Sequence, residues 1–246
     1  MNIIILAAGS SNSNQSYPIC LTEFENIPIL QRIIESCDQL DPSKIIATFR
    51  KSDVETNFLN NILKLLYQNS TSVSVQDNAE GAACSALLAS SLVDENLELL
   101  IVAANEYLDL DYKMVINQFR RNKFDAGTVV FTSVHPRYSY VKLNEDNLVI
   151  EAKEKIPISM NATAGFYWFS KGSLFVNAAK SMIKKDARVN EKFYVCPVFN
   201  ELVLDGYKIG VYKIENSNYH PLKSTHQIDL FESLMDKNEK HNDKTF

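Results

Sequence analysis

The sequence predicts one α/β domain: a mostly parallel central sheet with helices on both faces, extended by a small α+β portion. Three observations lead there. Residues 2–7 (NIIILA) form an unbroken apolar run, as expected of a strand buried on both faces. Strand-like and helix-like segments then alternate as far as residue 132, the order that builds parallel sheets. From residue 138 the pattern turns hairpin-like without an intervening linker, so the second half extends the same unit. Its 246 residues, 46% of them apolar, suffice for one large core.

The elements follow in order. A polar loop, residues 10–16, succeeds the first strand, and Pro28 opens a helix with Ile29, Leu30, Ile33 and Ile34 on one face. Residues 44–49 read as a strand. Residues 54–66 read as one helix with Phe58, Leu59, Ile62, Leu65 and Leu66 as its apolar stripe. Strands at 72–75 and 98–103 flank a helix at 82–92; a helix at 112–121 and a strand at 126–132 complete the series. Ligands of such sheets bind beyond the carboxyl ends of the strands, which singles out the loops after Ala7, Val75 and Ala103. In the second half, 138–143 and 148–152 alternate around Asn144-Glu145-Asp146-Asn147, a hairpin signal. An aromatic strand at 164–169, helices at 171–184 and 196–204, a strand at 208–214 and a last helix at 225–235 follow. The domain is expected to span 1–235, and the polar stretch 236–246 to be disordered.

Composition narrows the function. A formal charge of −5 gives no electrostatic footprint for nucleic acid and disfavours anionic membranes. The first apolar run is too short for a signal peptide or a membrane span. Cys20, Cys37, Cys84 and Cys196 have no paired or zinc-site spacing, so they are expected as isolated thiols of a reducing cytoplasm. The four histidines are scattered and suggest no metal site.

Several motifs carry chemistry. In Leu6-Ala7-Ala8-Gly9-Ser10 a buried strand ends in small residues, which lets backbone N–H groups approach a phosphate. By itself this is equally a strand followed by a tight turn. The longer stretch LAAGSSNSNQSYPICLTEFENIPILQRII resembles the opening of the sugar-phosphate nucleotidyltransferases, which read (L/M)AGxGxR, then PK, then GKP and an apolar helix. Glu80-Gly81-Ala82-Ala83 resembles the family's small-residue turn against the nucleobase; the plain alternative is a helix start with an acid near its dipole. Residues 99–109 (LLIVAANEYLD) resemble the strand that ends in the family's metal-binding aspartate, with Asn105 at that position, as in capsule-type members that read IANSDQYVDWD. Glu154-Lys155 and Asn161-Ala162-Thr163-Ala164-Gly165 resemble the segments that contact the sugar and its phosphate, and FYVCPVFN resembles a capsule-type FYVAPVYN. The resemblance runs from Asn2 to about Asp229 and implies a Rossmann-like GT-A/nucleotidyltransferase fold. It implies nucleotide contacts from Leu6, Ala7, Ala8, Gly9, Ser10, Glu80, Gly81, Ala82 and Ala83. Sugar or phosphate contacts would come from Asn105, Glu154, Lys155, Asn161 and Gly165.

The same alignment exposes what is missing. The family attacks the α-phosphate of a nucleoside triphosphate with a sugar phosphate, using an arginine, a lysine and aspartate-held Mg²⁺ as charge stabilisers. Here Ser13 stands at the arginine, Ile19 at the lysine, Asn105 at the metal-binding aspartate and Gln227 at the acid of the family's late GTPED-like stretch, and the first cation after the start of the chain is Arg32. Losing one such stabiliser costs about 10²–10³ in rate. The reading is therefore a family member of sugar-nucleotide or surface-glycan metabolism that binds a nucleotide or nucleotide sugar but is catalytically impaired, with Mg²⁺ doubtful. Three alternatives stand beside it. One is an active transferase in which Lys155 contacts phosphate and Asp109 or Asp111 recruits metal, although both aspartates equally read as helix caps. Another is a regulatory or scaffold partner of an active paralogue, which the aromatic run 166–169 permits although such a run is more often core than interface; a homo-oligomer is a further partner expectation. The third is a GT-A glycosyltransferase using Asp109-Leu110-Asp111 as its DxD.

Overall fold

The computed structural model describes residues 1–9, 17–24, 26–222, 227 and 231. The first half runs β1 (Asn2–Ala7), β2 (Glu23–Phe24), β3 (Ile27–Pro28), α1 (Ile29–Asp38), β4 (Lys44–Arg50), α2 (Lys51–Asn57), α3 (Leu59–Leu66) and β5 (Ser70–Val75). It continues through α4 (Ala82–Ser90), β6 (Leu99–Ala103), β7 (Glu106–Leu108), α5 (Tyr112–Arg121) and β8 (Ala126–Thr132). The second half contributes β9 (Ser139–Leu143), β10 (Val149–Glu154), β11 (Asn161–Phe169), α6 (Gly172–Lys184), α7 (Val198–Leu204), β12 (Ile209–Lys213) and β13 (Tyr219–Pro221).

Among the described residues a nine-stranded sheet carries the fold, in the order β10-β9-β11-β6-β1-β4-β5, with β8 beside β11 and β12 beside β8. The run β6-β1-β4-β5 is parallel. β11 is antiparallel to β6 and so ties the second half into the same sheet. The period of two explains the unbroken apolar run of β1. Ile3 and Ile5 face a core shared with α1, α3 and α5, whereas Ile4 faces one shared with α4, α6 and α7. All three isoleucines are fully buried, each contributing about 1.5–3 kcal/mol relative to exposure. α4 (AACSALLAS) lies close on the sheet because its inward residues Ala83, Ala86 and Ala89 are small.

Three expectations need correction. The helix expected at 54–66 is broken: Phe58 adopts a left-handed conformation (φ 52°), separating α2 from α3. The turn re-aims the chain so that Leu59 and Leu63 enter the core, while Phe58 and Leu65 are exposed. The strand at 126–132 does not continue the parallel run; it pairs antiparallel with β11 and parallel with β12. Helix 196–204 starts only at Val198, leaving Cys196 in the incoming segment. The aromatic run Phe166-Tyr167-Trp168-Phe169 is buried core, the commoner of the two readings of such a run, and so offers no interface. Of the expected helix 225–235, Gln227 and Phe231 are helical. The remainder of that helix, the tail 236–246 and the loop 10–16 lie outside the described residues. No described helix is long and apolar enough to cross a membrane.

Candidate functional site

The carboxyl ends of the parallel strands open into a cleft of about 520 Å³. Parallel pairing sets its first wall. Leu6 pairs in register with Thr48, and Thr48 with Val73, so the residues two further on, Ala8, Arg50 and Val75, reach the same edge. Leu6 and Ala8, and Thr48 and Arg50, line the cleft, as alternation along each strand requires, whereas past β5 it is Gln76 and not Val75 that does so. Asn105, just past β6, lines it as well.

Gly81 closes one end. It sits at φ 114°, ψ 176°, a region open essentially only to glycine, and caps the start of α4. A Cβ there would lie 2.3 Å from the carbonyl oxygen of Phe193. The main chain of Phe193 is bonded on both sides of that glycine: its N–H donates to Glu80 O (2.7 Å) and its carbonyl accepts from Ala83 N–H (3.0 Å). This strap carries Lys192, Tyr194, Val195 and Cys196 into the cleft.

The opposite wall is polar and largely buried. Ser139 Oγ donates to Glu154 Oε2, and Thr163 Oγ1 lies 2.9 Å from Tyr167 OH. Burial pushes the Tyr167 phenol and the Cys196 thiol well above their ordinary ranges, so both stay neutral. Lys155, left-handed at φ 58°, donates from Nζ to Tyr194 OH (3.0 Å) and lies over that ring. Gly165, at φ 60° in an irregular stretch of β11, makes room for Glu106: a Cβ would meet Glu106 Oε1 at 2.6 Å. Glu106 is buried and lines the same cleft.

The cleft thus unites Leu6, Ala8, Gly9, Gly81, Ala82, Asn105, Glu154, Lys155 and Gly165 of the expected binding residues, together with Ile19. Ala7 lines only a smaller recess of about 40 Å³ that shares Leu6, Gly9, Ile19 and Asn105 with it. The others fall elsewhere. Ala83 is core, and exposed Glu80 pairs with Arg188 at 3.5 Å, so neither lines the cleft. Asn161 begins β11 opposite Thr132. Asp111 is occupied as the cap of α5, accepting from Met114 N–H at 3.0 Å, and Asp109 is bound through its main chain to Asn218. Neither aspartate lines the cleft, which removes the geometric basis for a DxD metal pair there. Gln227 is half-buried and also lies off it. Ser10 and Ser13 lie outside the described residues.

Sequence reasoning missed Arg50, Gln76, Glu106, Arg137 and Lys192, all of which line the cleft. Arg50 and Gln76 had a usable signal: one ends β4 and the other directly follows β5. Asn105 offers a neutral carboxamide, and among the described residues no three His, Cys, Asp or Glu side chains group as metal ligands. A carboxamide is a poorer Mg²⁺ ligand than the aspartate that the resemblance expects at position 105.

Comparisons with known proteins agree with this geometry. The family model described as Nucleotidyl transferase matches residues 4–210. A crystal structure of a nucleoside-diphosphate-sugar pyrophosphorylase from Vibrio cholerae RC9 superposes with a TM-score of 0.77 at 18% identity, covering 95% of this chain and all of that one. The inositol-1-phosphate CTP transferase from T. maritima gives 0.74 at 16% identity, covering 96% of this chain and 95% of that one. At such identities the likeness is one of fold. No curated protein sequence gives a significant match.

Proposed function

The chain belongs to the nucleotidyl transferase family, and from that premise we propose that it binds a nucleotide or nucleotide sugar in the 520 Å³ cleft with little transferase turnover. The observation that carries this reading is a division within one cleft. The small-residue end at Gly81 and Ala82 and the polar wall at Glu154, Lys155 and Gly165 are in place. In the same cleft, Ile19 and Asn105 stand where the resemblance expects a lysine and a metal-binding aspartate. A binding surface is retained while two stabilisers of pentavalent phosphate are replaced by neutral groups. The substrate class would be that of sugar-nucleotide or surface-glycan metabolism, as the capsule-type segments imply. The fold neighbours support a phosphorylated sugar or inositol as the second ligand, being named for such compounds. A cytoplasmic setting is in keeping with four free cysteines, three of them buried.

Calorimetry with nucleoside triphosphates and nucleotide sugars, run beside a pyrophosphate-release assay with sugar 1-phosphates, tests the reading. Saturable binding without turnover is expected. Turnover on the order of 1 s⁻¹ or faster would overturn the impairment, and no binding by any compound would overturn the whole reading.

One observation favours a second reading, an active transferase with rearranged charges. Arg50, Arg137, Lys155 and Lys192 all line the cleft, so it is not devoid of cations as the glycine loop is. Fast pyrophosphate release would establish that reading.

A further inference from the structure

We propose that Tyr194 is a positioning residue of this cleft: it holds the Lys155 ammonium for the phosphate on the sugar side of a bound nucleotide sugar. The inference rests on the nucleotide-binding reading above and deepens it, naming the segment that sets both ends of the cleft at once.

Lys155 comes first. Glu154 and Lys155 are consecutive, so strand alternation would send them to opposite faces, yet both line the cleft. The left-handed backbone at Lys155 (φ 58°), just past β10, breaks the pleat and turns its side chain to the side that Glu154 occupies. The main chain is anchored there by the bond from Lys155 N–H to Tyr138 O at 2.9 Å. Backbone placement still leaves a flexible four-carbon arm on an exposed residue. Its Nζ donates to Tyr194 OH at 3.0 Å and lies 5.1 Å from the ring centroid, which puts the ammonium at the hydroxyl end of the ring. Among the described residues no other group is bonded to that ammonium, so one of its three N–H groups is used and two face outward. The partner is a neutral phenol, so the bond orients the ammonium without cancelling its charge, as a carboxylate would.

Tyr194 comes second, and its own place is fixed from both sides. Phe193, before it, is bonded to the start of α4 through Glu80 O and Ala83 N–H. The Arg188 guanidinium lies 4.9 Å from the Phe193 ring centroid and 3.5 Å from the Glu80 carboxylate, pinning the same joint. Cys196, after it, is buried with its sulfur 3.8 Å from Tyr140 O of β9. The chain between these anchors carries the half-buried Tyr194 from the small-residue end of the cleft to the polar wall. A phenol held on so short a tether keeps little freedom. A lysine already bonded to it has less rotamer entropy left to lose when a phosphate arrives. One strap therefore shapes the Gly81 end through Phe193 and orients a cation of the opposite wall through Tyr194.

The test uses the full chain with ADP-, CDP-, GDP-, UDP- and dTDP-glucose, the matching nucleosides, and glucose 1-phosphate. Affinities are read by calorimetry, or by saturation-transfer NMR where binding is weak. Tyr194→Phe keeps the ring and removes only the hydroxyl, so the fold is expected to stand. For the tightest nucleotide sugar it should weaken binding about 3- to 10-fold, the size of one ordinary hydrogen bond, while nucleoside affinity stays within about twofold. Lys155→Met should weaken the same ligand at least as much. In the Lys155→Met background, adding Tyr194→Phe should then cost less than about twofold, because the hydroxyl acts through the lysine. Four outcomes would overturn the assignment: nucleotide-sugar affinity unchanged in Tyr194→Phe, tighter binding in it, an equal loss for nucleoside and nucleotide sugar, or the full loss persisting in the Lys155→Met background. A wild-type chain that binds no member of the panel would instead overturn the nucleotide-binding reading itself, and this assignment with it.

Discussion

Replacing Gly81 with alanine tests the claim that the strap at Phe193 shapes the cleft. Two penalties combine. The backbone at φ 114°, ψ 176° lies in a region that costs a residue bearing a side chain about 1–3 kcal/mol. The new Cβ would also sit 2.3 Å from Phe193 O, 2.8 Å from its nitrogen and 3.0 Å from its carbonyl carbon. All three are main-chain atoms, so no rotamer change relieves the overlap and the strap must move. Movement endangers the bonds from Phe193 N–H to Glu80 O and from Ala83 N–H to Phe193 O, worth about 0.5–1.5 kcal/mol each. The total is about 2–6 kcal/mol, or roughly 5–20 °C in Tm for a chain of this size. Gly9→Ala is the control, since among the described residues a Cβ at Gly9 meets nothing within 4 Å and its backbone is not left-handed. Its stability should stay within about 0.5 kcal/mol of wild type. Urea and thermal unfolding of both variants read the difference. A Gly81→Ala protein as stable as the Gly9→Ala protein would refute the reasoning, because neither the strap contact nor the strained backbone would then constrain the fold.

Other consequences are read in the same preparations. Glu201 of α7 accepts from Ser181 Oγ of α6 and from Nζ of Lys185, the residue just past that helix, both at 2.7 Å. Burial alone would raise its pKa, but the Lys185 and Ser181 bonds outweigh it and the net shift is downward. Its stabilisation is therefore complete above the ordinary glutamate range and is lost as pH falls through the lowered native value; Glu201→Gln should unfold about 1–2 kcal/mol more easily at pH 7 and show a flatter acid limb. His220 has its pKa lowered by burial, partly opposed by Asp109, and packs against Tyr107 and Phe231. The native state thus favours neutral imidazole while the unfolded chain protonates near the ordinary value of about 6.5, so wild-type stability should drop between pH 7.5 and 5.5. His220→Phe should lose that drop, and equal slopes for the two proteins would count against it. With a thiol reagent at pH 8, half-buried Cys84 should react first. Cys20, whose thiol burial pushes up to about 12, and buried Cys37 and Cys196 should wait for unfolding. A second fast thiol would contradict this burial pattern.

Much of the fold could be read from the chain because its signals are local. The unbroken run of β1 announces a strand covered on both faces, and the bounds of α5 and β8 follow from periodicity alone. Where a tertiary contact overrides local pattern, the reading fails. Phe58 completes a plausible apolar stripe at 54–66, yet a left-handed turn sends it into solvent so that Leu59 and Leu63 can reach the core. The strand at 126–132 resembles the parallel ones in composition, but its partner β11 comes from the far half of the chain. In the cleft, Gly81 is legible as a small residue beside a ligand. The strap that forbids a side chain there enters from Phe193, more than a hundred residues later.

By itself the sequence determined the alternating architecture, the small-residue ends of the cleft and the neutrality of positions 19 and 105. These depend on residue type and order, which the chain states directly. Only the tertiary structure decided where positive charge stands. Arg50 is silent in any motif, because its meaning comes from parallel pairing that sets the end of β4 beside the end of β1, and from a carboxylate three residues on that holds its fork. Residues 10–16 carry no cation of their own, whereas the cleft gathers its cations across strands, and only folding brings those strands together.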